Sequence, residues 1–258
     1  LTHRRTVLFL QGWLEYPYSA TAFAAWQAKT PLRAPTIEVW RDGQWVTLFR
    51  EVGYPAGLQH TMTVDLTGKL AAGDRRLRVS TNMELYWDCI FIAAVLDGTE
   101  ISTKMVDVEN ADLHYFGYPR EYSPDGRLPN LYDYENIETA LPWKLMGGDY
   151  TRFGEVTELL DRADDRFVIM GRGEELTLRF SASSFGVVPA HMRRTFILKT
   201  DSYCKDMDLY TAHPDTVEPL PFHGMSGYPY GSGERYPEDQ EHSEYRMQYN
   251  TRRIENSQ

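Results

Sequence analysis

The chain has 258 residues, of which 42% are hydrophobic and 25% charged, and its formal net charge is −10. This composition predicts one large β domain or two small ones with a packed core, and it argues against a disordered chain. An acidic protein, with a sequence pI of about 5.2, lacks the basic patch that nucleic acids and anionic membrane surfaces require. We therefore expect no nucleic acid partner. We also expect no transmembrane segment, because no apolar run approaches the roughly 20 residues that cross a bilayer.

Short segments rich in β-branched and aromatic residues recur through the first hundred residues. Gly12 is expected to end the first strand, and Ser19 is expected to cap a short helix over residues 20–28. Asp42-Gly43 predicts a hairpin turn, because Gly supplies a positive φ angle after Asp. Strands at this spacing without long helices predict a mainly β protein with a jelly-roll-like (galactose-binding-like) antiparallel sandwich. The predicted strands cover residues 5–11, 36–40, 44–49, 60–66, 76–81 and 85–95.

The residue composition changes twice along the chain, which predicts three parts. Residues 1–105 form the sandwich, residues 106–148 form an ordered, aromatic-rich connection, and residues 149–258 form a second β-rich portion with short helices. The connection is too rich in Tyr for a disordered linker, so its rings are expected to pack flat over the sandwich. In the second portion we predict a helix at 155–162, strands at 166–170, 175–182 and 194–199, and a last helix that begins at Pro237 and ends near Arg252 and Arg253.

The aromatic content is the main functional clue, with 17 Tyr, 6 Trp and 11 Phe. Flat rings with a polar edge suit both protein interfaces and sugar faces, because they give a large contact area at little entropic cost. The alternative is that these rings only pack the connection onto the sandwich. The candidate binding residues are Trp13, Tyr16, Tyr18, Trp26, Trp87, Asp88, His114, Tyr115 and His223.

The sequence predicts no catalytic residues, because no two histidines have the sequence spacing of a metal-binding or nucleophile-activating motif. The alternative is an enzyme whose site is assembled from Asp88, His114 and His223. A structural calcium ion is considered at Asp201, Asp206 and Asp208, because carboxylates are its preferred ligands; capping or solvated acids are the alternative.

The two cysteines, Cys89 and Cys204, are expected to be separate reduced residues of the core, with a disulfide as the alternative. Neither belongs to a paired-cysteine motif of the kind that binds zinc or haem.

Six segments of the chain carry a resemblance to known proteins. They are residues 65–69 (DLTGK), 77–88 (LRVSTNMELYWD), 111–115 (ADLHY), 150–156 (YTRFGEV), 163–169 (ADDRFVI) and 216–231 (TVEPLPFHGMSGYPYG). Together they resemble the C-terminal region of large bacterial proteins that carry FG-GAP propeller repeats with an ASPIC/UnbV segment, or tetratricopeptide repeats, ahead of that region. This chain departs from them in having neither kind of repeat. The resemblance implies a scaffold, adhesion or assembly role outside the cytoplasm, and it transfers no catalytic residue.

These observations together predict a non-catalytic binding or assembly module that recognises a protein partner or a carbohydrate through aromatic surfaces. The alternatives are an accessory subunit of a larger, possibly membrane-associated complex, or the enzyme described above. A periplasmic or secreted location is expected from the resemblance.

Overall fold

The computed structural model describes residues 5–57, 59–95, 101–127, 130–140 and 144–255. The chain divides into two compact units, Leu1–Ser102 and Thr103–Gln258. Strands in antiparallel pairs dominate both units, so the prediction of a mainly β protein is confirmed. None of the helices among these residues has the length and apolar character that a membrane span needs.

The first unit is built from two three-stranded sheets, in the orders β4-β1-β6 and β3-β2-β5. Leu8 and Leu10 of one sheet share a buried cluster with Ile37 of the other, so the two sheets form a sandwich-like core. A jelly-roll topology stays a prediction. The elements are β1 (Thr6–Leu14), α1 (Ser19–Gln27), β2 (Thr36–Arg41), β3 (Gln44–Phe49), β4 (His60–Asp65), β5 (Leu77–Ser80) and β6 (Leu85–Ala94).

The predicted hairpin and the six strands of this unit are found within one to three residues of their expected ends. At the turn, Asp42 and Gly43 have φ angles of 49° and 78°. Both values are positive, as a tight two-residue hairpin requires. The rings of Trp40 and Trp45 stand opposite each other beside this turn, with centroids 5.2 Å apart.

Gly12 does not end the first strand, contrary to our prediction. Strand β1 continues to Leu14, and its pairing with β6 shifts at this point, so that Gln11 faces Cys89 and Gly12 faces Trp87. A Cβ atom on Gly12 would collide with the carbonyl oxygen of Tyr86 and lie 2.9 Å from the Trp87 ring. Glycine is therefore needed for a close approach of two backbones at a β-bulge.

We predict that Gly12→Ala lowers the free energy of unfolding by about 1–3 kcal/mol, because the new methyl group forces the bulge apart. Urea unfolding followed by tryptophan fluorescence measures the change. Gly73→Ala is the matched control, since a Cβ there meets nothing within 4 Å. Equal stability of the two variants would contradict this account of the bulge.

The described residues of the second unit form one three-stranded sheet, in the order β11-β7-β12, and two two-stranded sheets, β8-β9 and β10-β13. Leu113 of the first sheet packs with Val156, Leu159, Tyr245 and Tyr249, and a second cluster is centred on the segment at 217–222. The elements are β7 (Asn110–Tyr115), β8 (Tyr118–Tyr122), β9 (Leu131–Glu138), β10 (Gly148–Tyr150), β11 (Gly154–Glu155), β12 (Glu174–Arg179), α2 (Gln240–Tyr249), β13 (Arg252–Ile254) and the 3-10 helices Thr157–Leu160 and Ala182–Phe185.

The segment predicted as a connection, residues 106–148, belongs to this second unit and contributes β7, β8 and β9 to it. Its residues 128–129 and 141–143 lie outside the described residues. The strand-forming residues of these segments sit among Tyr, Pro and Gly, which masked their alternation in the sequence. The expectation that their rings cover the sandwich stays a prediction.

Two predicted strands of the second unit are irregular instead. Residues 166–170 make only one backbone bond to a neighbouring segment in the described part of the chain, from the Thr151 amide to the Ile169 carbonyl. Side chains supply two others: the Ile169 amide donates to the Thr151 hydroxyl, and the Phe167 carbonyl accepts from the Tyr245 hydroxyl. Residues 194–199 pair with none of the described strands, although Phe196 and Ile197 have the composition of a strand. The helix expected at 155–162 is a single 3-10 turn.

The last helix begins at Gln240 and is capped by Asp239, whose carboxylate accepts a hydrogen bond from the His242 amide. Arg252 and Arg253, expected at its end, lie beyond it in β13.

The two cysteines are free thiols, as favoured from the sequence, but both are exposed, so their assignment to the core was wrong. In an edge strand such as β6, apolar character did not imply burial.

Arg252 forms a bidentate ion pair in the second unit. Its guanidinium donates to both carboxylate oxygens of Glu174, at 2.6 and 2.9 Å, and to the Thr151 carbonyl at 3.0 Å. The Glu174 side chain is only 2% exposed. The same guanidinium lies over the Phe153 ring, 4.1 Å from its centroid.

We predict that Arg252→Ala lowers the free energy of unfolding by about 3 kcal/mol or more, because it leaves the buried Glu174 carboxylate without its cation. The neighbouring Arg253→Ala is the control. Its pair with Asp149 has an arginine side chain that is 67% exposed, and such pairs contribute at most about 1 kcal/mol. Similar losses in the two variants, measured by urea unfolding, would show that burial of the pair does not matter.

Candidate functional site

The first group of predicted binding residues lies around α1 in the first unit. The ring of Trp13 stacks on Tyr86, with centroids 5.0 Å apart and planes 15° from parallel. Tyr16 contacts Tyr54 edge-on, at 6.5 Å. These ring pairs hold the aromatic side chains in defined orientations at the surface. Tyr86 and Tyr54 were not among the binding residues predicted from the sequence, because their ring partners lie far away along the chain.

Helix α1 carries the most exposed of these rings. Trp26 stacks on Phe23 one turn earlier, with centroids 5.6 Å apart, as the spacing of three residues predicts. The Trp26 side chain is 73% exposed and that of Tyr18 is 70% exposed. None of the nine residues of α1 is buried. Ser19 does not cap the helix, because Tyr18 takes that position and makes no capping hydrogen bond with its side chain.

Trp87 and Asp88 are both candidate binding residues, but their surroundings differ. Asp88 is the extra residue of the bulge in β6, because Gln11 faces Cys89 and Gly12 faces Trp87. The Trp87 ring packs against the sandwich core, whereas Asp88 is exposed and accepts a hydrogen bond from the Gln59 side chain at 3.1 Å. Trp87 therefore contributes mainly to the core.

His114 lies on the polar face of the β7–β12 pair in the second unit. Its Nδ1 atom is 3.3 Å from an Asp112 oxygen and its Nε2 atom is 3.4 Å from a Glu175 oxygen. The approach to Nδ1 lacks hydrogen-bond geometry, so this buried atom has no hydrogen-bond partner among the described residues. Tyr115, on the other face, donates its hydroxyl to the Thr139 carbonyl at 2.9 Å.

His223 is held between two carboxylates. Its Nδ1 atom is 2.6 Å from an oxygen of Asp165, which also accepts from the His223 amide at 2.8 Å. Its Nε2 atom is 3.2 Å from Asp201. The neighbouring Leu220 and Phe222 are buried, so the stiff segment around His223 is anchored by its apolar side chains and presents the imidazole outward.

The two carboxylates raise the pKa of His223, with the hydrogen bond to Asp165 as the larger cause and that to Asp201 as the second. Protonation of the imidazole therefore strengthens the link between the three chain segments that carry these residues. The sequence pointed to His223, but it could not show that Asp165 binds the histidine.

The three histidine and aspartate candidates for an enzyme are not assembled by any described contact. Asp88 belongs to the first unit, and His114 and His223 of the second unit bind different carboxylates.

The three calcium candidates do not form a common site either. Asp201 pairs with His223, and Asp208 accepts from the Tyr210 amide within a turn. In the part of the chain that the structure describes, no group of three or more His, Cys, Asp or Glu residues is placed to hold a metal ion.

Comparison with protein-family models, curated proteins and solved structures finds no match for this chain. The resemblance to the C-terminal region of bacterial propeller or tetratricopeptide-repeat proteins therefore stays a prediction.

We predict that Asp201→Asn lowers the pKa of His223, measured by NMR titration of its imidazole protons. The raised pKa in the folded state means that the pair stabilises the fold fully below the unfolded histidine pKa of about 6.5. This contribution is lost as the pH rises through the folded pKa. Wild-type stability should therefore fall over this window, and the fall should be smaller in the variant.

Asp206→Asn is the matched control, because Asp206 is exposed and has no ion pair or hydrogen bond among the described residues. An unchanged His223 titration in Asp201→Asn would contradict the assignment of the second carboxylate.

Proposed function

We propose that this protein is a non-catalytic binding or assembly module, and that helix α1 with its flanking rings contacts a protein partner. The observation that carries the proposal is the exposure of α1. Its sequence, SATAFAAWQ, contains no charged residue, yet none of its residues is buried. A helix whose side chains are predominantly apolar is normally covered by another part of the protein or by a partner.

The chemistry of α1 favours a protein over a carbohydrate at this surface. Phe23 and Trp26 offer a large apolar area, and the Ala residues between them allow close approach of another chain. Recognition of sugar hydroxyls needs several converging polar groups, whereas the polar side chains of the helix are one Ser, one Thr and one Gln. Aromatic anchors of this kind dominate the binding energy of protein interfaces.

The other features of the proposal rest on the sequence. A role in a larger assembly and a location outside the cytoplasm are supported by the resemblance to the C-terminal region of bacterial repeat proteins. The absence of Lys and Arg from α1 argues against attachment to an anionic membrane, because interfacial helices carry basic residues on their polar face.

The proposal is tested by photocrosslinking of the full chain in its source cells. A benzophenone amino acid at position 26 should yield a protein adduct of defined mass. The same amino acid at position 44, which is also exposed but lies at the tip of the β2–β3 hairpin, should not. Equal adducts at both positions, or adducts only to polysaccharide, would contradict the proposal.

Once the crosslinked partner is identified by mass spectrometry, Trp26→Ala should weaken its binding by roughly 30-fold, since a tryptophan anchor contributes about 2 kcal/mol or more. Gln44→Ala should leave the affinity unchanged. Both variants should unfold as the wild type does, because neither side chain is buried.

A further inference from the structure

An open cleft of about 920 Å³ lies on the second unit, along the hairpin of β8 and β9. Its volume is typical of sites that bind small molecules. The lining combines two tyrosines with charged and amide side chains, and it contains none of the nine candidate binding residues predicted from the sequence. The side chains that the argument uses are Tyr118, Arg120, Tyr132, Glu135, Asn136 and Arg172.

The cleft is formed where the pairing of the hairpin is interrupted. Pro119 faces Ile137, but the next residue, Arg120, faces Asp133, so residues 134–136 of β9 have no counterpart on β8. Such bulges redirect side chains and are frequent next to binding sites. Here the bulge places Glu135 and Asn136 at the cleft.

The bulge is held by its own hydrogen bonds. The Asp133 carboxylate accepts from the Glu135 amide at 3.0 Å and from the Asn136 side chain at 2.5 Å. The hydrogen bond from the Asn136 side chain, followed by that from the Glu135 amide, lowers the pKa of Asp133 and so favours the ionised carboxylate that accepts both bonds. Glu135 and Asn136 are therefore presented in a fixed arrangement.

Two side chains of the cleft have no structural task among the described residues. The Tyr132 side chain is 55% exposed and makes no ring contact, whereas Tyr134, two residues further on, packs against Phe116 with centroids 6.4 Å apart. The Glu135 carboxylate has no hydrogen bond or ion pair within the same described part. The Tyr132 ring and the Glu135 carboxylate, which both line the cleft, are therefore available to contact a ligand.

The charges of the lining define the class of ligand. Two arginines oppose three glutamates, so the cleft has nearly balanced charge and favours neither a strong anion nor a strong cation. Arginine and the Asn amide donate hydrogen bonds, while the carboxylates accept them. A sugar ring needs this combination, because each hydroxyl both donates and accepts and the apolar face of the ring stacks on an aromatic side chain.

We propose that this cleft binds a neutral saccharide, with Tyr132 as the stacking platform and Arg120, Glu135 and Asn136 as hydroxyl ligands. The site belongs wholly to the second unit. It does not depend on the protein interface assigned to α1, and either proposal can fail without the other.

Isothermal titration calorimetry of the full chain tests the proposal with cellohexaose, mannohexaose and N-acetylchitohexaose, and with oligogalacturonate and chitosan hexamers as charged comparators. At least one neutral hexamer should bind, and more tightly than either charged one. Tyr132→Ala should weaken that binding at least tenfold, whereas Tyr132→Phe, which keeps the ring, should stay within about threefold of the wild type. Glu135→Gln should cause an intermediate loss.

Tyr122→Ala is the matched control, because Tyr122 is an exposed tyrosine of β8 that does not line the cleft. Trp26→Ala should also leave saccharide binding unchanged, which separates this site from the α1 surface. The proposal is overturned if no neutral hexamer binds, if a charged hexamer binds best, or if Tyr132→Ala and Tyr122→Ala have equal effects.

Discussion

The ion pair between Arg252 and Glu174 is the interaction on which the second unit depends most. It joins the final strand, β13, to the start of β12. The same carboxylate accepts a hydrogen bond from the Gly171 amide at 2.7 Å and so closes the turn between Gly171 and Glu174. A buried carboxylate is costly unless every lone pair is used, and here a guanidinium and a backbone amide use them.

This turn is also what positions the cleft. The Gly173 carbonyl accepts from the Phe116 and Gly117 amides at 2.8 and 2.9 Å, which fixes the entry into β8. A Cβ atom on Gly173 would lie 2.9 Å from the Tyr115 ring, so only glycine allows the turn to approach so closely. Arg172 and Gly173 of this turn also line the cleft. The ion pair of Glu174 is therefore connected to the lining of the cleft through the turn at residues 171–174.

The two proposed surfaces differ in the way that rigid elements present them. In the first unit, α1 is a short apolar helix that the sandwich core does not cover. In the second unit, the Asp133 hydrogen bonds hold polar side chains beside a free ring. The first arrangement offers apolar area without polar specificity, which suits a protein surface. The second offers oriented hydrogen-bonding groups, which suit a polyhydroxylated ligand.

The amino-acid sequence by itself determined the features that depend on neighbouring residues. The Asp42-Gly43 turn, the strands of the first unit and the stacking of Phe23 on Trp26 all follow from local backbone preference and side-chain periodicity. Only the tertiary structure decided the rest. Gly12 continues a strand because a distant strand approaches it. Residues 166–170 are irregular because Thr151 and the Tyr245 hydroxyl bond their backbone in place of a continuous strand pairing.

The candidate sites divide in the same way. The exposed aromatic residues near α1 were predicted from the amino-acid composition, because this segment contains several aromatic residues close together. The carboxylates around His223 and the bulge of β9 were not, because Asp165 lies 58 residues from its histidine and a bulge is a mismatch between two strands. The sequence shows which side chains are available, but distances between remote residues are set only when the chain folds and packs.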